Sequence, residues 1–478
     1  SFLRLFGLQR KVIIFDEVHA YDTYMQKIFQ QLLAWLRAIG SSVILLSATL
    51  PHATRLALLT AYQPAAAVQS TQAAYPRLSI NDGKTITTAS LGAFPNRTVH
   101  LQTISRDSQT WPELLREKLA AGGCAAIICN TVDRAQQVYQ QLSTAALVEK
   151  EDLFLLHARM PYCWREQKET EILTRFGKQS QPAVHPRRGI VVATQIIEQS
   201  LDLDFDLLIS DLAPIDLLIQ RIGRLQRHTG SPNAPLRPPL LAEPLCLISQ
   251  PDPTAANELP GFGADEWVYD PVTLQRTYYC LVGRQSISLP ADSDALINQV
   301  YADDDLLACS PAQNQLMRLK YQKMLKDQAA EMVKAQNQLV GDVDSNAVLG
   351  NKSAYLMEED QAISGAAQAL TRNTVLPNVQ LVCFIQQAGQ TFLLDGMTPF
   401  DPNAVPHKEV LKHFLRSQVA VSKAAIVHHF TALPPHAAWK RTPSLRLAHP
   451  LIFENGICRL NEKIVLSLDQ DLGLLVIA

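Results

Sequence analysis

Close to the amino end, the apolar run Val12-Ile13-Ile14-Phe15 stops at two adjacent carboxylates, Asp16 and Glu17, followed by Val18 and His19. A short β-branched and aromatic run of this kind reads as a buried parallel strand. Its end places both acids at the carboxyl edge of a sheet, where α/β folds hold their ligands. Paired acids there suit Mg²⁺-nucleotide chemistry, because one carboxylate holds the hydrated metal while the other orients, or takes a proton from, the attacking water. Asp16 is assigned to the metal and Glu17 to the water. An isolated acidic pair is equally compatible with a polar loop opening the next helix, so the assignment depends on segments further along the chain.

From residue 11 to about 250, short apolar runs alternate with amphipathic segments, the pattern of βα units building parallel sheets. Ile28, Leu32, Leu33, Leu36 and Ile39 recur at helical spacing, and Val43 to Leu46 form the next strand, ending at Ser47-Ala48-Thr49. The polar stretch from Ala74 to Arg97 predicts a strand or hairpin and then an interdomain linker. Residues 1–96 thus read as the later part of one α/β lobe. Residues 97–250 read as a second, complete lobe with strands at Val99–Ile104, Cys124–Cys129, Leu153–His157, Gly189–Ala193, Leu207–Ser210 and Leu245–Ser249. An accessory region, 251–353, carries a long polar helix over Gln313 to Leu339 and a flexible linker over Gly341 to Ser353. Residues 354–478 return to short strands and helices as a small mixed domain.

With 478 residues, 47% of them hydrophobic, the chain can bury the cores of two to four domains. No stretch has the length of an uncharged membrane span, and the first residues lack the features of a signal peptide. The start, without Met and almost immediately in a strand, predicts that upstream sequence is missing. The eight cysteines form no Cys-x-x-Cys pair, which fits a reducing cytoplasm and suggests neither a zinc cage nor a disulfide framework. A net charge of −2 creates no general field for nucleic acid, so any such site must be a local basic surface.

Four further segments fall in a telling order. Ser47-Ala48-Thr49 follows the acidic box by about thirty residues and offers hydroxyls able to relay its state. Val191-Val192-Ala193-Thr194-Gln195 is a strand ending in Thr, whose hydroxyl and neighbouring amides suit a phosphate, and it continues to Glu198, Ser200, Asp202 and Asp204. Asp202 is placed at the nucleotide or the first lobe. In Gln220-Arg221-Ile222-Gly223-Arg224-Leu225-Gln226-Arg227-His228, Arg224 and Arg227 are spaced as one helical turn, which predicts two guanidinium groups facing one cleft. Fixed cations of this kind contribute roughly 10³ to 10⁵ in rate to phosphoryl transfer. Ile127-Ile128-Cys129-Asn130-Thr131 is a strand end at which Asn130 is a candidate for backbone phosphate, and equally a helix cap. His157 is read as structural. Gly83-Lys84-Thr85 is rejected as a phosphate loop, because Leu78 stands where the pattern needs glycine, and is read as a hairpin turn.

These residues resemble the superfamily 2 helicases, and within them the CRISPR-associated type I helicase/nuclease, most similarly its type I-E branch. The resemblance rests on Asp16 to Asp22, Ser42 to Pro51, Ala193 to Asp206 and Asp216 to His228. The fold implied is α/β, with a partial first RecA-like lobe, a complete second RecA-like lobe of parallel sheet flanked by helices, a helical linker and a small mixed carboxy-terminal domain. The function implied is ATP-driven translocation on single-stranded DNA, after recruitment by the Cascade complex with its guide RNA. Its cofactors would be ATP and Mg²⁺. Asp16, His19, Asp202 and Gln220 would serve the nucleotide, Glu17, Arg224 and Arg227 the reaction, and Ser47, Thr49, Asn130 and Thr194 the nucleic acid or the coupling of lobes. The family's amino-terminal HD nuclease and its Gly-Lys-Thr loop find no counterpart in these residues, which implies a fragment inactive alone. Alternatives are one half of a split protein that binds DNA or Cascade without catalysis, and an RNA helicase of the same superfamily.

Overall fold

The computed structural model describes residues 7–18, 23–63, 67–68, 73–92, 94–181, 184–198, 201–228, 237–302, 304–306, 308–336 and 378–477. His19, Ser200 and the linker expected at Gly341 to Ser353 lie outside the described residues.

Strands β1 (Val12–Phe15) and β2 (Ser42–Leu45) pair in parallel, in register from Val12 with Ser42 to Phe15 with Leu45. Helix α1 (Thr23–Ala38) connects them and buries Phe29 and Leu33 in a cluster that Phe15, Val43 and Leu45 pack against. Only that face of the strands is covered. Val12 and Ile14 are 66% and 60% exposed, and Ile44 and Leu46 are exposed beside them, which corrects the expectation of a buried strand. The alternation of a strand sends every second side chain to the other face, and among the described residues nothing packs there.

Helix α2 (His52–Tyr62) leads to a small sheet of β3 (Ala67–Val68), β4 (Arg77–Asn81) and β5 (Thr85–Ser90), in the order β3-β5-β4. The expected hairpin turn joins β4 to β5. Asp82 accepts the backbone N–H groups of Lys84 and Thr85 at 2.8 and 2.7 Å, and Gly83 takes the left-handed φ of +91° that the turn demands.

The second lobe is a seven-stranded sheet assembled from β6 (Arg97–Ser105), β7 (Gly123–Ile128), β8 (Leu153–Leu156), β9 (Arg188–Ala193), β10 (Leu207–Asp211), β11 (Leu245–Gln250) and β12 (Ser286–Leu289). Its order is β12-β6-β11-β10-β7-β9-β8, parallel except for β12. Along β7, Cys124, Ala126 and Ile128 enter one core cluster while Ala125 and Ile127 enter another, so both faces are covered. Helices α3 (Trp111–Lys118) and α4 (Val132–Ala145) fill one face. Helices α5 (Tyr162–Phe176), α6 (Ile215–Ile222), α7 (Pro271–Leu281) and α8 (Ser293–Tyr301) fill the other. Edge strand β12 thus carries residues beyond 250 back into this sheet. The long polar helix is α9 (Pro311–Gln336), which runs alongside α1.

The carboxy-terminal sheet contains β13 (Val379–Gln387), β14 (Gln390–Phe392), β15 (Gln418–Val421), β16 (Ala448–Glu454), β17 (Ile457–Arg459), β18 (Val465–Asp469) and β19 (Gly473–Val476), with α10 (Lys408–Arg416) and α11 (Ala424–Thr431) packed on it. Central β13 pairs with β14, β15 and β16, the last in parallel. Phe384, Phe414 and Trp439 form one of its two cores.

The turn between β18 and β19 is gripped by the second lobe. The Leu472 carbonyl accepts from Gln136 at 2.7 Å and from His157 Nε2 at 3.0 Å, and the Leu474 N–H donates to the Arg159 carbonyl at 2.8 Å. Gly473, at φ +72°, passes so close that a Cβ would stand 2.7 Å from that carbonyl. His157 is structural, as expected from the sequence. Burial, with Arg159 beside it, holds its imidazole down at about 3. The histidine is therefore neutral when folded but protonates in the unfolded chain below about 6.5. Its contribution to stability is complete above that pH and is lost as pH falls toward the folded value, by up to about 1.4 kcal/mol per unit. Thermal midpoints measured between pH 7 and 5 should fall more steeply for the wild type than for His157→Gln. Parallel slopes would show that the ring is not buried as described.

Candidate active site

The ends of β1 and β2 remain stitched together beyond the strands, by Leu46 N–H to the Phe15 carbonyl at 2.8 Å and Val18 N–H to the Leu46 carbonyl at 3.3 Å. This fixes the acidic pair beside Ser47-Ala48-Thr49. Asp16 is exposed and accepts the backbone N–H of Glu17 at 2.9 Å, while Glu17 is half-buried at a φ of +54°. A non-glycine residue in that region is uncommon, and such conformations concentrate at functional sites. Ser47 donates to the Thr49 carbonyl at 3.3 Å, and the Ala48 carbonyl accepts from the Tyr75 hydroxyl at 2.8 Å. Thr49 is 2% exposed, and its Oγ1 receives Gln220 Nε2 at 3.5 Å. That contact joins the first lobe to helix α6 of the second.

Helix α6 buries Ile215, Leu218 and Ile222 against the sheet. It ends at Ile222, one residue before Gly223, so the helical alignment expected of Arg224 and Arg227 is corrected. Leu225 forms a bridge with Phe205 and Gln226 turns through a φ of +46°, sending the two arginines to different partners. Gly223 stands at the helix end where the chain turns. Arg224 donates through both terminal nitrogens, to the backbone carbonyls of Leu201 and Glu198, and its buried Nε has no hydrogen-bond partner among the described residues. Arg227 pairs with Asp202 at 3.0 Å, and Asp202 also meets His228 at 2.9 Å. Asp204 accepts the backbone N–H groups of Arg227 and His228 at 2.7 and 3.3 Å, which fixes the turn.

Burial and the nearby charge of Arg227 lower the Arg224 pKa, while Asp202, Glu198 and Glu17 oppose them. Glu17 belongs to the first lobe. Its carboxylate is the weakest of the three acidic influences on this arginine of the second lobe.

Two expected contact residues lie inside the protein. Thr194, 3% exposed, donates its N–H to the Leu156 carbonyl at 3.1 Å. Asn130 is 2% exposed; its side chain donates to the Leu212 carbonyl at 2.7 Å and accepts from Arg221 at 3.1 Å. The phosphate contact considered for Asn130 is corrected accordingly, because both ends of its amide are committed within the lobe.

Arg221 is an interior junction behind the cleft that the sequence pattern alone did not single out. It is fully buried, with Nε on Glu198 at 2.7 Å and further bonds to Ser210 Oγ at 2.9 Å and the Asp211 carbonyl and Tyr269 hydroxyl, both at 3.0 Å. Burial opposes its charge, yet the Glu198 carboxylate overrides that and holds the guanidinium above its ordinary value. The signal was present in the sequence. Arg221 lies within the apolar stripe Ile215, Leu218, Ile222 and Leu225, where an arginine requires a buried partner.

Residues 121–230 match the family model for the carboxy-terminal part of the CRISPR-associated nuclease/helicase Cas3, and residues 375–474 match that for the Cas3 C-terminal domain. The CRISPR-associated endonuclease/helicase Cas3 of Thermus thermophilus is 30% identical, over 99% of this chain and 54% of its own length. The chain belongs to the carboxy-terminal portion of the Cas3 family. A crystal structure of a CRISPR-associated protein is 36% identical, with a TM-score of 0.89 over 99% of this chain and 52% of its own. The ATP complex of T. fusca Cas3 is 29% identical, with a TM-score of 0.82 over 99% of this chain and 54% of its own. The likeness extends to a chain in a CRISPR RNA-guided surveillance complex before nicking, at 27% identity and a TM-score of 0.76, covering 99% of this chain and 58% of that one. The α/β architecture is that of the Cas3 RecA-like lobes. The chain spans about half the length of the Cas3 relatives it matches. Among the described residues no helix is long and apolar enough to cross a membrane.

Does the site fit the nucleotide and metal? Among the described residues Arg224 forms no ion pair, and its terminal nitrogens rest on neutral carbonyls, so no bonded carboxylate neutralises it, as an anion site requires. No group of three or more metal-ligating side chains occurs among the described residues. Mg²⁺ in nucleotide enzymes is typically held by one or two carboxylates together with phosphate oxygens, so the exposed carboxylate of Asp16 fits that mode and leaves Glu17 to the water.

Proposed function

We propose that this chain supplies the water-activating acids, the coupling segments and the arginines of an ATP-driven single-stranded DNA translocase of CRISPR defence, recruited by the RNA-guided Cascade complex. The observation that carries the reading is the contact of Gln220 with Thr49, which sets the strand end beside the acidic pair against the helix that leads to Arg224. The ATP-bound relative and the relative in a surveillance complex support the nucleotide and the partner. ATP with Mg²⁺ would supply the transferable phosphoryl group. Asp16 holds the metal, Glu17 orients water, and Arg224 and Arg227 meet negative charge. Gln220, Asp202 and His19 serve the nucleotide, while Ser47, Thr49 and Thr194 relay its state toward the DNA.

The sequence has no phosphate loop at Gly83-Lys84-Thr85, which lies in the β4–β5 hairpin turn. The 478-residue chain by itself is therefore expected to hydrolyse no appreciable ATP. In the whole protein that carries it, Glu17→Gln is expected to reduce DNA-stimulated hydrolysis by roughly 10²- to 10⁴-fold, as loss of a positioned base does. A steady-state phosphate-release assay with and without single-stranded DNA decides both points. Hydrolysis by the chain alone that Glu17→Gln abolishes would refute the first, and full activity of Glu17→Gln in the whole protein would refute the second.

A further inference from the structure

The strand end Ser47-Ala48-Thr49 and helix α6 are joined directly by Gln220 and Thr49. A second route joins the same two segments through α8. Asp294, in the first turn of α8, forms an ion pair with Arg77 of β4. Asn298 Oδ1 accepts the backbone N–H of His52, the first residue of α2, at 3.5 Å. At the far end of α8, the Tyr301 hydroxyl donates to Asp216, in the first turn of α6, at 2.6 Å. The spacing of 294, 298 and 301 puts all three on one stripe of the helix. Leu296, Ile297 and Val300 on the neighbouring face are buried in the core of the second lobe.

The helix is anchored on the second-lobe side. Arg276 of α7 is buried, and its guanidinium caps the carboxyl end of α8 by donating to the carbonyls of Gln299 and Val300 at 2.7 Å and of Asp304 at 3.0 Å. On the first-lobe side the contacts are polar and partly open to solvent: Arg77 and Asp294 are 16% and 32% exposed. Asp294 also raises the pKa of Tyr75, whose hydroxyl holds the Ala48 carbonyl, after the larger effect of burial. It acts likewise on Arg55 of α2, against burial and Arg77. One carboxylate thus pairs with Arg77 and exerts a longer-range pull on two further side chains near the Ser47-Ala48-Thr49 segment.

We infer that α8 is a spacer rooted in the second lobe, and that Asp294 and Tyr301 are positioning residues which hold the first lobe where Gln220 meets Thr49. This rests on the ATP-motor reading of the cleft. Neither residue touches the proposed nucleotide site, so removing either should lower turnover without weakening nucleotide binding. Misplacement of reacting groups by about 1 Å can cost on the order of 10²-fold in rate.

The test compares Asp294→Arg, Arg77→Asp, the double charge swap and Tyr301→Phe in the whole protein, measuring kcat and KM for ATP separately. The singles are expected to lose about tenfold or more in kcat with KM little changed, and the swap to recover most of it. Amide hydrogen exchange of residues 48–55 in the 478-residue chain gives an arm independent of activity: faster exchange in Asp294→Arg, slowed again in the swap. Unchanged kcat in the singles, or a swap no better than either single, overturns the inference while leaving the motor reading intact. If the wild type shows no ATP turnover, the motor reading fails. Exchange then decides alone, and equal rates in wild type and Asp294→Arg overturn the spacer.

Discussion

Arg224→Ala in the whole protein is expected to lower ATP turnover by ~10³-fold or more, with affinity for single-stranded DNA changed by less than about twofold. The effect follows from how the guanidinium is held. Its two terminal nitrogens rest on the carbonyls of Leu201 and Glu198, neutral acceptors that fix its direction without cancelling its charge. Arg227 differs, because Asp202 already pairs with it and it is 44% exposed. A preorganised cation with no bonded carboxylate is well placed to stabilise developing negative charge, since no ion pair must be surrendered when the anion arrives. Arg224→Lys should fare little better, for a single ammonium cannot take both carbonyls in the same fork. Single-turnover hydrolysis and fluorescence anisotropy with labelled DNA separate the two effects. Loss of DNA affinity with turnover preserved would mean that Arg224 serves the nucleic acid instead.

Glu198→Ala is expected to destabilise the second lobe by about 3–5 kcal/mol, the cost of leaving one member of a buried ion pair alone. Arg221 is wholly buried, and Glu198 is the carboxylate bonded to its Nε. The same residue's carbonyl holds Arg224, so Glu198 ties the core to the cleft with two different atoms. Adding Arg221→Met to Glu198→Ala should recover part of the loss, since the stranded charge is then gone. Urea unfolding followed by tryptophan fluorescence measures this, Trp111 being buried in the lobe's core. A loss under about 1 kcal/mol would show that water or other groups already solvate the arginine.

Much of the strand plan was legible because the second lobe's strands are covered on both faces and so read as unbroken apolar runs; β7, β9 and β10 lie within a residue or two of their expected limits. The first strand has the same composition but only one covered face, a difference that depends on neighbours and leaves no trace in Val12 to Phe15. The residues of the cleft were legible as types and in their order. Their geometry was not, because a spacing of three suggests a helical turn, whereas Gly223 and the left-handed Gln226 take the chain out of the helix between the two arginines. Helix α8 escaped notice for another reason: Asp294, Asn298 and Tyr301 look like an ordinary solvated face until Arg77, His52 and Asp216 are brought opposite them by contacts far apart in sequence. Asn130 failed in the reverse direction, since a polar residue after a strand fits a ligand contact and an interior junction equally well.

The grip on the β18–β19 turn has a mechanical corollary. Its bonds run to α4 and to the loop after β8, all of one lobe, and one of them, from the Leu474 N–H to the Arg159 carbonyl, is backbone to backbone and survives any side-chain replacement. In the motor proposed above, the terminal sheet is therefore expected to travel with the second lobe.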